Sequence, residues 1–150
     1  MDGWAWVRIG AISGFLAVAA GSFGAHGLKD RLKLLESDTS QVATEKQRRL
    51  ENFLTASRHE MYHALALMAV GILALVGRPG AALSAAGWAF LVGTLLFSGS
   101  LYGYGLTGQR WLGMITPLGG VGFLIGWIAL AIGAGGAPGP EGWAGPSGRR

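Results

Sequence analysis

Residues 112–134 read LGMITPLGGVGFLIGWIALAIGA, twenty-three consecutive positions without a charged side chain. A helix needs roughly 20 mostly apolar residues to cross the hydrocarbon core of a bilayer. This run is long enough, and Trp111 before it suits the head-group layer. Three more apolar runs lie upstream. Residues 81–106 and 61–76 are also free of charge, and residues 7–25 hold only Arg8, beside Trp4 and Trp6, whose place at the end of the run suits the head-group layer. The turns around Gly77–Gly80 and Thr107–Arg110 are short, and short connections join antiparallel neighbours. The pattern predicts an all-α membrane protein: a four-transmembrane-helix up-down bundle with spans at about 7–25, 61–76, 81–106 and 112–134.

Composition agrees. Of 150 residues, 51% are hydrophobic and only 13% charged, and 27 are Gly, many of them inside the apolar runs. Membrane helices tolerate such glycine because protein and lipid, not water, surround the backbone. The absence of Cys excludes a disulfide framework, a thiolate nucleophile and a Cys metal site. The net charge of +4 lies mainly between and beside the spans, where it sets orientation and meets anionic head groups. No interleaving of basic and aromatic residues suggests a nucleic-acid partner. The first run has a rival reading as a signal peptide, with Ala17-Val18-Ala19 in the small-x-small form of a cleavage site. The run continues beyond that point, which favours a span.

Residues 27–60 form the polar connection between the first two spans. Thr44-Glu45-Lys46-Gln47 fits a capping box. Leu50, Phe53, Leu54, Ser57 and Met61 then follow helical spacing, and Glu45 can pair with Arg49 one turn on. This predicts an amphipathic helix running from about Glu45 into the second span, preceded by a solvated loop over Glu36–Val42. The membrane domain is expected over 1–135 and a disordered Gly/Pro-rich tail over 136–150. Arg8, Arg78, Arg149 and Arg150 fall on the side of the termini, and eight other cations fall on the side of the connection. The positive-inside rule then places 27–60 in the cytoplasm and both termini outside, and if the protein is bacterial the membrane is expected to be the plasma (inner) membrane.

Gly10-x-x-x-Gly14, Gly99-x-x-x-Gly103 and Gly122-x-x-x-Gly126 set small residues one turn apart, a spacing that lets helices approach closely. Ionisable residues inside spans would point to transport, but Arg8 and Glu60 read as lying at span ends. The neutral polar set is Ser13, Ser22, Ser98, Ser100, Tyr102, Tyr104 and Thr116, explained most simply by hydroxyls bonding to helix carbonyls. Pro117 favours a helix start or kink beside Gly119-Gly120. His59-Glu60-Met61-Tyr62-His63 matches H-E-x-x-H, which in a zinc protease sets two His on one helix face with Glu as general base. With His26 at the end of the first span, a His26, His59, His63 metal site is conceivable. Against it, the pattern is short, and a solvated His at a helix entering the membrane is ordinary. The alternative for His63 is a hydrogen bond to the Gly24–Leu28 turn.

The segments Gly24-Ala25-His26-Gly27-Leu28, Phe53-Leu54-Thr55-Ala56, Met61-Tyr62-His63-Ala64-Leu65-Ala66-Leu67, Ala86-Gly87-Trp88, Leu96-Phe97-Ser98-Gly99-Ser100-Leu101-Tyr102 and Leu112-Gly113-Met114-Ile115-Thr116-Pro117-Leu118-Gly119-Gly120 occur in that order. Together the chain resembles the YgdD and transmembrane protein 256 family, domain of unknown function 423, over roughly Ile9–Ala134. The resemblance implies a small multi-pass membrane protein without an established activity. It implies recurring polar positions at His26, Tyr62, His63, Ser98, Ser100, Thr116 and Pro117. The His59-Glu60 pair departs from the family pattern, which makes the H-E-x-x-H match a local accident.

The leading expectation is a non-enzymatic protein without a cofactor. It would work by packing against other membrane proteins or itself, or by organising lipid. An alternative is a channel or carrier for a small neutral solute along Ser98, Ser100, Thr116 and Pro117. Convergence of His26, His63, Ser98 and Thr116 in one pocket would favour binding, and dispersal would favour packing. Any site is expected at the interface rather than at the bilayer midplane.

Overall fold

The computed structural model describes residues 1–77 and 80–135. The Arg78 turn and the 136–150 tail lie outside the described residues. All regular structure among the described residues is helical. Helix α1 (Gly3–Phe23) is capped by Asp2, whose side chain accepts from the N–H of Ala5 at 2.7 Å. It continues without a break through a π-helical turn (Gly24–Leu28) into α2 (Lys29–Arg31). Helix α3 (Ser40–Val76), α4 (Ala81–Thr107), a 3₁₀ turn (Arg110–Met114) and α5 (Thr116–Ala134) complete the chain. Four helical stretches are long and apolar enough to cross a membrane: Gly3–Arg31, Ser40–Val76, Ala81–Thr107 and Arg110–Ala134.

The connection is more ordered than the sequence suggests. Thr39, not Thr44, caps α3, accepting from the N–H of Val42 at 3.4 Å, and Thr44 spends its hydroxyl on the carbonyl of Ser40. The capping box at Thr44 therefore lies inside the helix, and residues 40–42 are helical rather than loop. The preceding turn is pinned by Asp38, which accepts from the N–H of Leu35 at 2.9 Å and from Lys46 Nζ at 2.7 Å. Lys46 also reaches the carbonyl of Lys33. The 37 residues of α3 extend about 55 Å at 1.5 Å per residue, well beyond a hydrocarbon core of roughly 30 Å. The amphipathic segment and the second span are thus one helix.

Consecutive long helices pack in antiparallel order: α1 along α3, α3 along α4, and α4 along α5. Close approach depends on glycine. A Cβ on Gly10 would stand 2.7 Å from the carbonyl oxygen of Ala64, and one on Gly71 2.6 Å from that of Gly3. Gly119, Gly122 and Gly126 do the same for α5 against Gly93, Phe97 and Phe90. The pair in the fourth span therefore packs at both positions, whereas Gly99 meets no neighbour within 4 Å.

The apolar core lies toward the side of the termini and contains Trp6, Leu67, Val70, Leu83, Ala86, Phe90, Phe123 and Leu130. Trp6 is 1% exposed and meets Trp88 edge to face at 5.6 Å, so it is a core residue and not the interfacial anchor its sequence position suggests. Starting the helix at Gly3 puts Trp4 and Trp6 about 200° apart around the axis, on opposite faces. Ile12, Phe15, Leu95, Leu124, Ile128 and Ile132 are exposed on the outer surface, the arrangement expected where lipid is the solvent.

Candidate functional site

The polar groups gather in the half of the molecule nearer the 27–60 connection, where hydroxyls join helix to helix. Ser57 donates to the carbonyl of Ala17 on α1 at 2.9 Å, and Ser98 to that of Ala56 on α3 at 3.0 Å. Ser100 and Thr116 share a 2.9 Å hydrogen bond between α4 and α5. Arg49 donates from Nε to the carbonyl of Gly105 and from a terminal nitrogen to that of Leu106. It thereby satisfies carbonyls that the end of α4 would leave open. Gly108 completes that end at φ +74°.

Sequence reasoning missed the central residue of this region. Glu60 does not lie at a span end: it is 8% exposed, enclosed among α1, α3 and α4. Ser13 donates to its Oε1 at 3.2 Å and Tyr102 to its Oε2 at 2.7 Å. Among the described residues no Lys or Arg pairs with it. Ser13 is the central residue of α1, and Thr94, which lines the same groove, is the central residue of α4. The carboxylate therefore sits inside the helix bundle, bonded across to α1 and α4. The expectation that the spans lack a buried carboxylate is overturned. The signal was spacing: Phe53, Ala56, Ser57, Glu60, Ala64 and Leu67 continue one packed stripe at i, i+3 and i+4. Glu60 reads as terminal only because the unbroken apolar run starts at Met61.

Two cavities flank this network. One, of about 540 Å³, lies between α1 and α4, lined by Leu16, Phe23, Phe53, Glu60, Thr94 and Tyr102 among others. The other, of about 550 Å³, lies between α3, the end of α4 and the start of α5. Arg48, Asn52 and Arg110 stand beside Phe97, Leu101, Thr116 and Pro117 in its lining. Glu45 is the acidic partner of both arginines, 3.9 Å from Arg48 and 3.4 Å from Arg110, and accepts from Tyr104. Its expected pairing with Arg49 is replaced, because Arg49 turns to the end of α4.

The sequence-predicted site residues separate. His26 is exposed on the π-helical turn, and Tyr62 is exposed on the outer face of α3. His63 is buried, donating Nδ1–H to the carbonyl of His59 at 2.7 Å with its ring stacked on Phe123 at 3.4 Å. Its polar partner is therefore its own helix and not the Gly24–Leu28 turn. Ser98 borders the α1–α4 groove, whereas Thr116 and exposed Pro117 border the interfacial cavity beside Ser100. His26, His63, Ser98 and Thr116 are thus dispersed. No three His, Asp or Glu residues among those described stand close enough to share a metal ion. His59 and His63 face each other at 6.5 Å while Glu60 turns away to Ser13 and Tyr102, which separates the elements of the H-E-x-x-H pattern.

The family profile described as "Protein of unknown function (DUF423)" matches residues 20–120. The chain belongs to the DUF423 family. It is 41% identical over 127 residues to a UPF0382 membrane protein of Staphylococcus epidermidis, covering 85% of this chain and 92% of that one. It is 39% identical over 129 residues to the UPF0382 membrane protein YwdK of Bacillus subtilis (86% and 94% covered). A UPF0382 membrane protein of Haemophilus influenzae is 40% identical over 129 residues (86% and 92%). No solved structure matches. The protein is accordingly a member of a membrane protein family of unknown function, and the family profile covers Glu60, Tyr102 and the whole lining of the interfacial cavity, while Ser13 lies before its start.

Proposed function

We propose that the protein is a non-enzymatic, lipid-organising membrane protein that holds an anionic lipid head group at the end of α4. The observation that carries this reading is the interfacial cavity of about 550 Å³ with Arg48, Asn52 and Arg110 in its lining. Two guanidinium groups share one carboxylate, Glu45, which leaves an excess of one positive charge there. Guanidinium donors match the oxygens of a phosphate in a planar fork. Phe97, Leu101 and Pro117 supply apolar lining for the glycerol and upper acyl carbons. The positive-inside rule puts this end of the molecule, with 27–60, in the cytoplasm and both termini outside; in a bacterium the membrane would be the plasma membrane.

The test is native mass spectrometry of the protein released from mixed phosphatidylglycerol and phosphatidylcholine. Retention of phosphatidylglycerol should exceed that of phosphatidylcholine and fall roughly tenfold in the Arg48→Ala, Arg110→Ala double variant, as loss of charge-assisted hydrogen bonds requires. Equal retention of both lipids, or retention unchanged in the variant, removes the reading.

A further inference from the structure

The groove between α1 and α4 is a second site, distinct in position and in sign of charge from the interfacial cavity. We propose that it binds a lipophilic organic cation, an ammonium or phosphonium centre on an apolar body, taken up sideways from the bilayer.

The groove holds one carboxylate. Ser13 and Tyr102 each donate to one oxygen of Glu60, which leaves lone pairs on both oxygens, and no basic side chain of the described residues neutralises it. Charge on a buried carboxyl without a partner is costly, and a cation supplied from outside would be the complement that the chain itself does not provide. Thr94 gives an independent sign. It is 8% exposed, lines the same groove, and its hydroxyl oxygen is buried without a hydrogen-bond partner. Buried hydroxyls in native proteins are normally satisfied, so Thr94 is a polar group beside the groove whose bonding the chain alone leaves incomplete.

The walls describe the rest of the ligand. Phe23, Phe53 and Tyr102 form an aromatic file along the groove, with ring centroids 5.9 Å and 4.8 Å apart. Aromatic faces attract a desolvated cation and suit organic cations in particular. Leu16, Leu95 and Leu106 are exposed on the outer surface and also line the groove, so its mouth opens to the acyl chains and not to water. Gly99, with nothing within 4 Å of where a Cβ would stand, keeps the space clear. The volume of about 540 Å³ accommodates a compact amphiphile. A bare metal cation is a poorer fit, because it requires a nearly complete shell of oxygens and most of this lining is hydrocarbon.

The test uses the full chain in nanodiscs of phosphatidylcholine, which carries no net charge to collect the probe. Tetraphenylphosphonium binding is measured by equilibrium dialysis, and reaction of Glu60 with dicyclohexylcarbodiimide by mass spectrometry. Saturable binding of one probe per chain is expected. Affinity should fall roughly tenfold or more in Glu60→Gln, which keeps the side chain's shape and removes its charge. Gly99→Leu should block binding while leaving Glu60 in place, and it meets no backbone that would disturb folding. The probe should also protect Glu60 from the carbodiimide. Absence of saturable binding, unchanged affinity in folded Glu60→Gln, or protection by sodium ions but not by the probe would each overturn the proposal. None of these outcomes depends on Arg48 or Arg110, so this site and the lipid site succeed or fail separately.

Discussion

A double-mutant cycle at Trp6 and Gly87 tests whether shape complementarity holds this fold. The Trp6 indole lies so close to α4 that a Cβ on Gly87 would stand 2.6 Å from two of its ring carbons. In a water-soluble core, Trp→Ala costs about 3–5 kcal/mol, of which part is transfer of apolar surface and part the cavity left behind. In a bilayer or micelle the transfer part largely vanishes, because lipid is as apolar as the core, and about 2–3 kcal/mol of lost dispersion contacts remains for Trp6→Ala. Gly87→Ala alone inserts a methyl against a rigid ring that is itself fixed by Trp88, an overpacking cost of about 1–3 kcal/mol. In the Trp6→Ala background the same methyl points into the vacated space and its cost disappears or reverses. The predicted coupling is about 1–3 kcal/mol, favouring the double variant over the sum of the singles. The assay is equilibrium unfolding in mixed micelles with increasing dodecyl sulfate, followed by circular dichroism. Additivity within about 0.5 kcal/mol would mean that α1 and α4 do not meet there and would refute the packing.

Three further outcomes are expected. Arg49→Ala should loosen the end of α4 by about 1–2 kcal/mol, read as faster hydrogen exchange at amides 104–109, because two carbonyls lose a charged donor at a partly exposed position. The turn before α3 should respond to acid. The Lys46 ammonium and the N–H of Leu35 hold the Asp38 carboxyl below its ordinary value. A carboxyl lowered in the folded state contributes fully above the ordinary carboxylate range, and the contribution is lost as pH falls through the lowered value. A spin label on Ser37→Cys should therefore gain mobility below about pH 4 and lose this response in Asp38→Asn. The absence of native Cys makes such labelling clean and also tests topology. With the proposed orientation, Gln47→Cys should react with an impermeant maleimide only after the membrane is opened, and reaction in intact cells would reverse the orientation.

The four spans were legible because each is a long apolar run bounded by breakers or charges, a signal that depends on composition and not on partners. What escaped was decided by rotation about a helix axis. Trp6 and Glu60 were both assigned by linear position, one as an anchor beside Arg8 and the other as the last polar residue before a span. The structure turns both inward, Trp6 onto Gly87 and Glu60 toward Ser13 and Tyr102. The start of α3 escaped for a different reason. Thr39 and Thr44 are both plausible caps, and the choice depends on Asp38 and Lys46 closing the preceding turn, an interaction across eight residues. The likeness to the DUF423 family implies polar positions at Ser98, Ser100 and Thr116 without saying which cavity each borders.

The placement of Glu60 changes what the small-residue packing is for. A tightly packed bundle free of buried charge would use its glycines only to hold helices together. Here glycine gives α1 and α3 close contact at Gly10 and Gly71 and gives α4 and α5 close contact at Gly93 and Gly119. Gly99, on the face of α4 toward α1, has no partner at all. These contacts fix the frame, and the bare position at Gly99 keeps space beside Glu60 and Thr94. If the bundle were selected for packing alone, a larger residue at Gly99 would fill that space without meeting any atom within 4 Å and would add dispersion contacts. Gly99→Leu should then raise resistance to dodecyl sulfate unfolding while abolishing tetraphenylphosphonium binding. A variant that gains stability and loses the ligand locates a cost of function at one residue. A variant that gains stability and still binds would show that the groove is not where the cation sits.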